Sequence, residues 1–294
     1  MFRTMVPAAL LIHSACCFAD AAPDASQVAV PVLVTTELGA PVTNLTKENF
    51  RLFEDRTEQR IASLTVEHGP VSFGVLVDTS GSMQARLEAI AHGVASLLSD
   101  DVRGDEAFLL DFAATAQVTV PFTGDSEKII QQTLHAQPRG RTSLLDAIDL
   151  ALRHLQHARN LRRAIVVFSD GGDNASRMTE SDVRKSLTGS DVQLFAIGSL
   201  TLPLAGCDPR KRAGGPHLLE KLTKETGGEL YWPERPDALT RLGLLVATEM
   251  HTRYVLSYCP APSLVAGKRH RIRIALTPPQ GSGKLVASYR QTAP

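Results

Sequence analysis

A doubly wound α/β fold with a mostly parallel sheet, inserted in a small β-sandwich made by the two ends of the chain, is predicted by three observations. Between residues 71 and 250, apolar runs alternate with amphipathic stretches. Such runs suit strands buried on both faces, and helices between them make the sheet parallel. From residue 27 to 67, and again after 252, apolar and polar residues alternate with a period of two, as in antiparallel β-structure. Two of the apolar runs end in turns rich in carboxylates and hydroxyls, at the strand ends where sheets of this class bind ligands.

In the first segment, Val28, Val30, Val32 and Val34 alternate as a half-buried strand, with Pro31 predicting an edge position. Two more strands are expected at residues 49–54 and 61–66, separated by the polar turn Asp55-Arg56-Thr57-Glu58. The α/β pattern opens with the apolar run 71–77 and a helix repeating Leu87, Ile90, Ala91, Val94, Leu97 and Leu98. Strands follow at 108–110 and 116–122, then a helix over 143–157 burying Leu144, Leu145, Ile148, Leu152 and Leu155. Ser143 and Asp146 form a capping box at its start. A strand at 164–168 leads to a helix capped by Thr179-Glu180-Ser181-Asp182. Next come a strand at 192–197, a helix at 217–225 stopped by Gly227-Gly228, a short strand at 230–232 and a last helix at 236–250. In the final segment Ile272, Ile274 and Leu276 alternate with Arg269, Arg271 and Arg273, and Leu285, Ala287 and Tyr289 make the closing strand. Neither end has enough strands to stand alone. Residues 27–69 and 252–290 are therefore expected to form one β-sandwich, with residues 70–250 as the inserted α/β domain.

Composition narrows the function classes. Lys plus Arg equals Asp plus Glu at 31 each, and no basic run carries interleaved aromatics, which argues against nucleic acid as a partner. Residues 1–21 read as an export signal: Arg3, a short apolar stretch, and the small-x-small site Ala19-Asp20-Ala21. That places the mature chain in the periplasm, at the cell surface or outside the cell. Cys16 and Cys17 raise a lipoprotein anchor as the rival, but His13 and Ser14 replace its aliphatic residues. No later stretch is long and apolar enough to span a membrane. With residues 1–21 removed, Cys207 and Cys259 remain, and in an exported chain they are candidates for a disulfide or for two separate thiols.

The chemistry concentrates in Asp78-Thr79-Ser80-Gly81-Ser82, at the end of the apolar run 71–77. A carboxylate and two hydroxyls at alternate positions offer hard oxygen donors suited to magnesium. Two later stretches fit the same site: Gly140-Arg141-Thr142-Ser143, feeding a helix, and Ser169-Asp170-Gly171-Gly172-Asp173-Asn174, ending a buried strand. Together they resemble the metal-ion-dependent adhesion site of von Willebrand factor type A domains. Pro41 to Phe50, Thr226-Gly227-Gly228 and the tyrosine-rich strand 254–258 add a resemblance to exported bacterial proteins of that family. The resemblance implies Mg²⁺, with Mn²⁺ or Ca²⁺ as alternatives, at Asp78, Ser80, Ser82, Thr142 and Asp170. It also implies that hydroxyls contact the ion while the aspartates act largely through water. The electrophilic ion then takes a carboxylate from a protein or cell-surface partner.

Each of these residues has a plainer role open to it, since Ser, Thr and Asp cap turns and helices. Asp173 and Asn174 are expected to shape their turn. His154 and His157 are expected on a solvated helix face. Enzyme signatures are absent: there is no Gly-x-Ser-x-Gly elbow and no His-Glu-x-x-His helix. Gly281-Ser282-Gly283-Lys284 lacks the leading glycine and final hydroxyl of a phosphate loop. The expectation is a non-catalytic binding module. A metal-dependent hydrolase in the same pocket, or a scaffold with a structural metal, are the alternatives.

Overall fold

A computed structural model describes residues 27–37, 39–99, 102–198, 215–260, 270–281 and 283–293. Residues 1–21, Cys207 and the run Arg210-Lys211-Arg212 lie outside the described residues, and Cys259 is exposed. The chain begins with β1 (Val28–Thr36), β2 (Phe50–Glu54), β3 (Thr57–Gln59) and β4 (Ile61–His68). The α/β part follows with β5 (Ser72–Asp78), α1 (Leu87–Leu97), β6 (Glu106–Phe112), β7 (Ala116–Thr123) and α2 (Ser126–Leu134). It continues through α3 (Leu144–His154), β8 (Arg163–Ser169), α4 (Glu180–Thr188), β9 (Val192–Gly198), α5 (Gly215–Thr226), β10 (Leu230–Tyr231) and α6 (Ala238–His251). The last strands are β11 (Thr252–Tyr258), β12 (His270–Leu276), β13 (Leu285–Tyr289) and β14 (Thr292–Ala293).

The central sheet has six strands in the order β10-β9-β8-β5-β6-β7. All neighbours are parallel except β7, which returns antiparallel along β6. Side chains alternate along β5, so Phe73, Val75 and Val77 enter one core and Leu76 the other. The first core is closed by Ile90 and Val94 of α1, Ile129 of α2, and Leu242 and Val246 of α6. The second is closed by Leu144 and Ile148 of α3, Val183 of α4, and Leu219 of α5. Each such buried aliphatic side chain contributes roughly 1.5–3 kcal/mol. Helices α1 and α6 cross where Gly93 meets Gly243; a β-carbon on Gly243 would fall 2.2 Å from the Gly93 carbonyl. Glycine there is a packing requirement.

From β5 the chain moves by way of α1 to β6 on one side, while β8 lies on the other. The order of strands reverses at β5, and a crevice opens beyond its carboxyl end.

Two further sheets, β13-β1-β11-β4 and β14-β12-β2-β3, each combine strands from both ends of the chain. Between them lies a third core built from Val32, Leu52, Phe50, Tyr254, Leu256 and Ile272, among others. The Tyr254 hydroxyl accepts the Leu45 N–H at 2.9 Å. Leu33, from the opposite face of β1, joins the first core of the α/β part.

Several local expectations change. Strand β1 is internal, between β13 and β11, despite Pro31. Its pairing with β13 starts only at Val32, so the missing N–H of Pro31 falls where one side of the strand has no partner. The turn predicted at residues 55–58 shrinks to Asp55 and Arg56, both at positive φ, and Thr57 begins β3. Helix α2 has no counterpart among the predicted elements; its sequence is mostly polar and buries only Ile129 and Thr133. Among the described residues, no helix is long and apolar enough to cross a membrane.

Candidate functional site

The crevice beyond β5 gathers the predicted residues by specific hydrogen bonds. Asp78, the last residue of β5, is fully buried. One of its carboxylate oxygens accepts the Ser80 N–H at 2.9 Å, and the other accepts the Ser169 hydroxyl at 2.6 Å. The first bond bends the chain sharply after the strand and presents Ser80. The hydroxyls of Ser80 and Ser82 lie 3.1 Å apart, and Ser82 donates to Asp170 Oδ2 at 3.2 Å. Asp78, Ser80, Ser82 and Asp170 thus form one contiguous polar cluster, contributed by adjacent strands β5 and β8.

Thr142 reaches the same sheet edge through backbone ties. The Gly81 N–H donates to the Gly140 carbonyl at 3.1 Å, joining the first loop to the second. The Thr142 N–H donates to Asn174 Oδ1, and its carbonyl accepts the N–H groups of Asn174 and Ala175, each at 2.9 Å. Thr142 is buried, and its hydroxyl is engaged by none of the described residues. Thr142 is thus tied to the loop after Asp170 by its backbone, and its hydroxyl makes no direct hydrogen bond to the cluster.

The supporting residues were only partly foreseen. Ser169 was not singled out, although a hydroxyl just before the acidic turn is its signal. It also accepts the Gly171 N–H at 3.0 Å, fixing the turn that carries Asp170. Asp173 does more than shape its turn: it accepts the Leu145 N–H at 2.8 Å, capping α3 from outside the helix. Ser143 makes no capping hydrogen bond, and Asp146 instead accepts the N–H groups of Arg177 and Met178. The capping box predicted there is replaced by a tie across two loops. His154 is also corrected. Its ring stacks on Phe122 at 4.9 Å and meets Phe108 edge-on at 4.5 Å, because β7 curls its apolar side chains over α3. His157 is exposed as expected.

Electrostatics at the cluster are one-sided. Burial pushes the Asp78 carboxyl above its usual range, the charge of Asp170 adds to the rise, and the hydrogen bonds from Ser169 and Ser80 oppose it. Among the described residues, no Lys, Arg or His makes an ion pair with Asp78 or Asp170. A divalent cation fits this donor set, since it would neutralise the two carboxylates and draw on the Ser80 and Ser82 hydroxyls. Among the described residues no three His, Cys, Asp or Glu side chains cluster. Hydroxyl and carboxylate oxygens are the donors a hard cation prefers.

Comparison with known proteins bears on the fold of the α/β part. The family model of the von Willebrand factor type A domain matches residues 74–172. An uncharacterised protein of Borreliella burgdorferi strain B31 is 28% identical over 178 residues, 53% of this chain and 52% of that protein. The chain thus spans about half the length of the curated relative it matches. Among solved structures, a von Willebrand factor type A protein from Catenulispora acidiphila superposes with a TM-score of 0.53 at 11% identity, covering 82% of this chain and 74% of that one. A variant of the PilB minor pilin from Streptococcus sanguinis gives a TM-score of 0.50 at 15% identity, with 62% of each chain covered. At such identities the likeness is one of fold.

Proposed function

We propose, for a chain whose residues 74–172 are a von Willebrand factor type A domain, that it is an exported, non-catalytic module binding a protein or surface ligand through a divalent metal. The observation that carries this reading is the buried Asp78, linked through Ser80 and Ser82 to Asp170 at the point where the strand order reverses. Ser80, Ser82 and Thr142 would hold the ion, with Asp78 and Asp170 supplying the compensating charge. The ion, Mg²⁺ before Mn²⁺ or Ca²⁺, would offer an electrophilic position to a partner's Asp or Glu carboxylate. The chain's own part is to fix the hydroxyls in advance. Ser169 holds Asp78, Asp78 holds the Ser80 backbone, and Asn174 holds Thr142, so little ordering is left to the moment of binding. No His, Lys or Cys among the described residues hydrogen-bonds to the cluster, which favours recognition over hydrolysis. Export rests on residues 1–21.

Calorimetric titration of Mg²⁺ and Mn²⁺ into metal-stripped protein tests the site. Saturable binding by the wild type, lost in Asp78→Ala and Ser80→Ala, is the expected result. A folded wild type that takes up no ion would sink the reading. Competition of acetate or an acidic peptide with a captured partner then tests the carboxylate.

A further inference from the structure

Sheet β14-β12-β2-β3 turns Leu52, Ile272 and Ile274 into the sandwich core and a polar face outward. On that outer face Arg271 and Arg273 of β12 stand beside Arg51 and Phe53 of β2 and Glu58 of β3. The register sets Phe53 between Arg273 and Glu58. The guanidinium carbon of Arg273 lies 3.9 Å from the Phe53 ring centre, and that of Arg51 lies 5.2 Å away. Arg51 is committed to Glu58 through two hydrogen bonds of 2.8 and 2.6 Å. Arg273 is held differently. Stacking occupies the flat face of a guanidinium and leaves its N–H edge free to take a carboxylate with two bonds. Arg271 is tied to Asp55 through its backbone, its N–H donating to Asp55 Oδ1 at 2.8 Å and its carbonyl accepting the Asp55 N–H at 2.9 Å. Among the described residues, neither Arg271 nor Arg273 forms a salt bridge with a carboxylate.

We propose that this face docks an extended acidic segment of a partner polypeptide, seating carboxylates on Arg271 and Arg273. Alternate residues of a strand stand about 6.8 Å apart on one face, the spacing of alternate side chains in an extended peptide. Bidentate guanidinium–carboxylate pairing rewards that match. Beside Arg51 a groove follows in which Lys47 and Arg60 alternate with Glu48 and Glu58, so the unpaired positive charge stays local to Arg271 and Arg273. A bilayer or nucleic acid would need a broad positive field. Here Glu58 lies within the patch and the whole chain carries a formal net charge of +0, which favours local carboxylate recognition over a diffuse polyanion. The sheet contributes nothing to the Asp78 cluster, so docking requires no metal.

The test is fluorescence anisotropy of a labelled peptide alternating Glu and Thr, titrated with the full chain in the presence of chelator. Binding should weaken about tenfold or more in Arg271→Ala/Arg273→Ala. It should weaken clearly in the charge-preserving Arg271→Lys/Arg273→Lys, and stay unchanged in Asp78→Ala. These side chains are exposed, and circular dichroism checks that the variants fold. No binding by the wild type, equal binding of a Gln/Thr peptide, or full binding by the alanine pair overturns the proposal. So does tighter binding to phosphatidylglycerol vesicles than to the peptide, which would assign the face to a membrane.

Discussion

At the edge of the central sheet where β5 begins, every carboxylate has its complement. Asp105 accepts the Val71 N–H at 2.8 Å and faces His251 Nε2 at 2.7 Å. Glu106 accepts the Ser72 hydroxyl at 2.7 Å and the Arg159 N–H at 2.6 Å. Arg162 donates to the Met250 carbonyl at 2.5 Å and the His251 carbonyl at 3.1 Å, closing the end of α6. At the edge where β5 ends, Asp78 and Asp170 face the same crevice with hydroxyls and N–H groups but no cation among the described residues. The first edge is complete within the chain and serves stability. The second has no charged complement among the described residues, as the proposed cation site would require.

The contrast breaks first if Arg162 proves dispensable. Its burial lowers its pKa to about 10, which leaves it charged at neutral pH, and it donates to carbonyls at the end of α6. Arg162→Ala should cost about 3 kcal/mol in urea unfolding. At the opposite edge, Mg²⁺ at a hundredfold excess over its Kd should raise stability by about 2.7 kcal/mol. Thermal unfolding should show that gain in the wild type and not in Asp78→Ala.

Matched isosteric changes sharpen the comparison. Asp105→Asn removes a charge that is complemented and should cost about 2 kcal/mol. Asp78→Asn removes a buried charge repelled by Asp170 and should stabilise the metal-free chain by about 1 kcal/mol while abolishing metal binding. Opposite signs for one chemical change at two ends of one sheet would be the clearest support. Equal signs would remove the distinction.

Glu249 is a third kind of carboxyl, neither ion-paired nor at the crevice. Burial pushes it up to about 8, with the charge of Glu229 adding and the hydrogen bond from Tyr231 opposing. The folded state keeps this proton while the unfolded chain releases it above the ordinary 4.5. Its contribution is therefore fully present below pH 4.5 and is lost as pH rises through about 8. The slope is at most about 1.4 kcal/mol per pH unit. Glu249→Gln should flatten the pH dependence of urea midpoints across that window.

How far the sequence carried differs between strands and side chains. The runs 71–77, 164–168 and 192–197 were legible as parallel strands because burial on both faces leaves them almost wholly apolar, with Ser72 and Gln193 the exceptions. Asp78, Ser80, Ser82 and Asp170 were legible because turn chemistry follows directly from those strands. Ser169, Asp173 and Asp146 were not, since each acts on backbone from a different loop, and no local spacing encodes that. His154 was misplaced for the same reason: its ring environment is set by Phe108 and Phe122, from other elements. Helix α2 failed the opposite test, with too few buried residues to leave a periodic trace.

The placement of β11 between β1 and β4 sets an order on assembly. Neither N-terminal strand pairs with the other, so the sheet they share cannot close until residue 252 has left the ribosome. The α/β part is complete by then, and local contacts let it form first. For that interval β1 and β4 wait as unpaired strands, held near a nearly finished domain. The lysine-poor, valine-rich β1 then offers open edges to wrong partners; the arrival of β11 pairs one edge of β1 and of β4 together, and β13 later covers the other edge of β1.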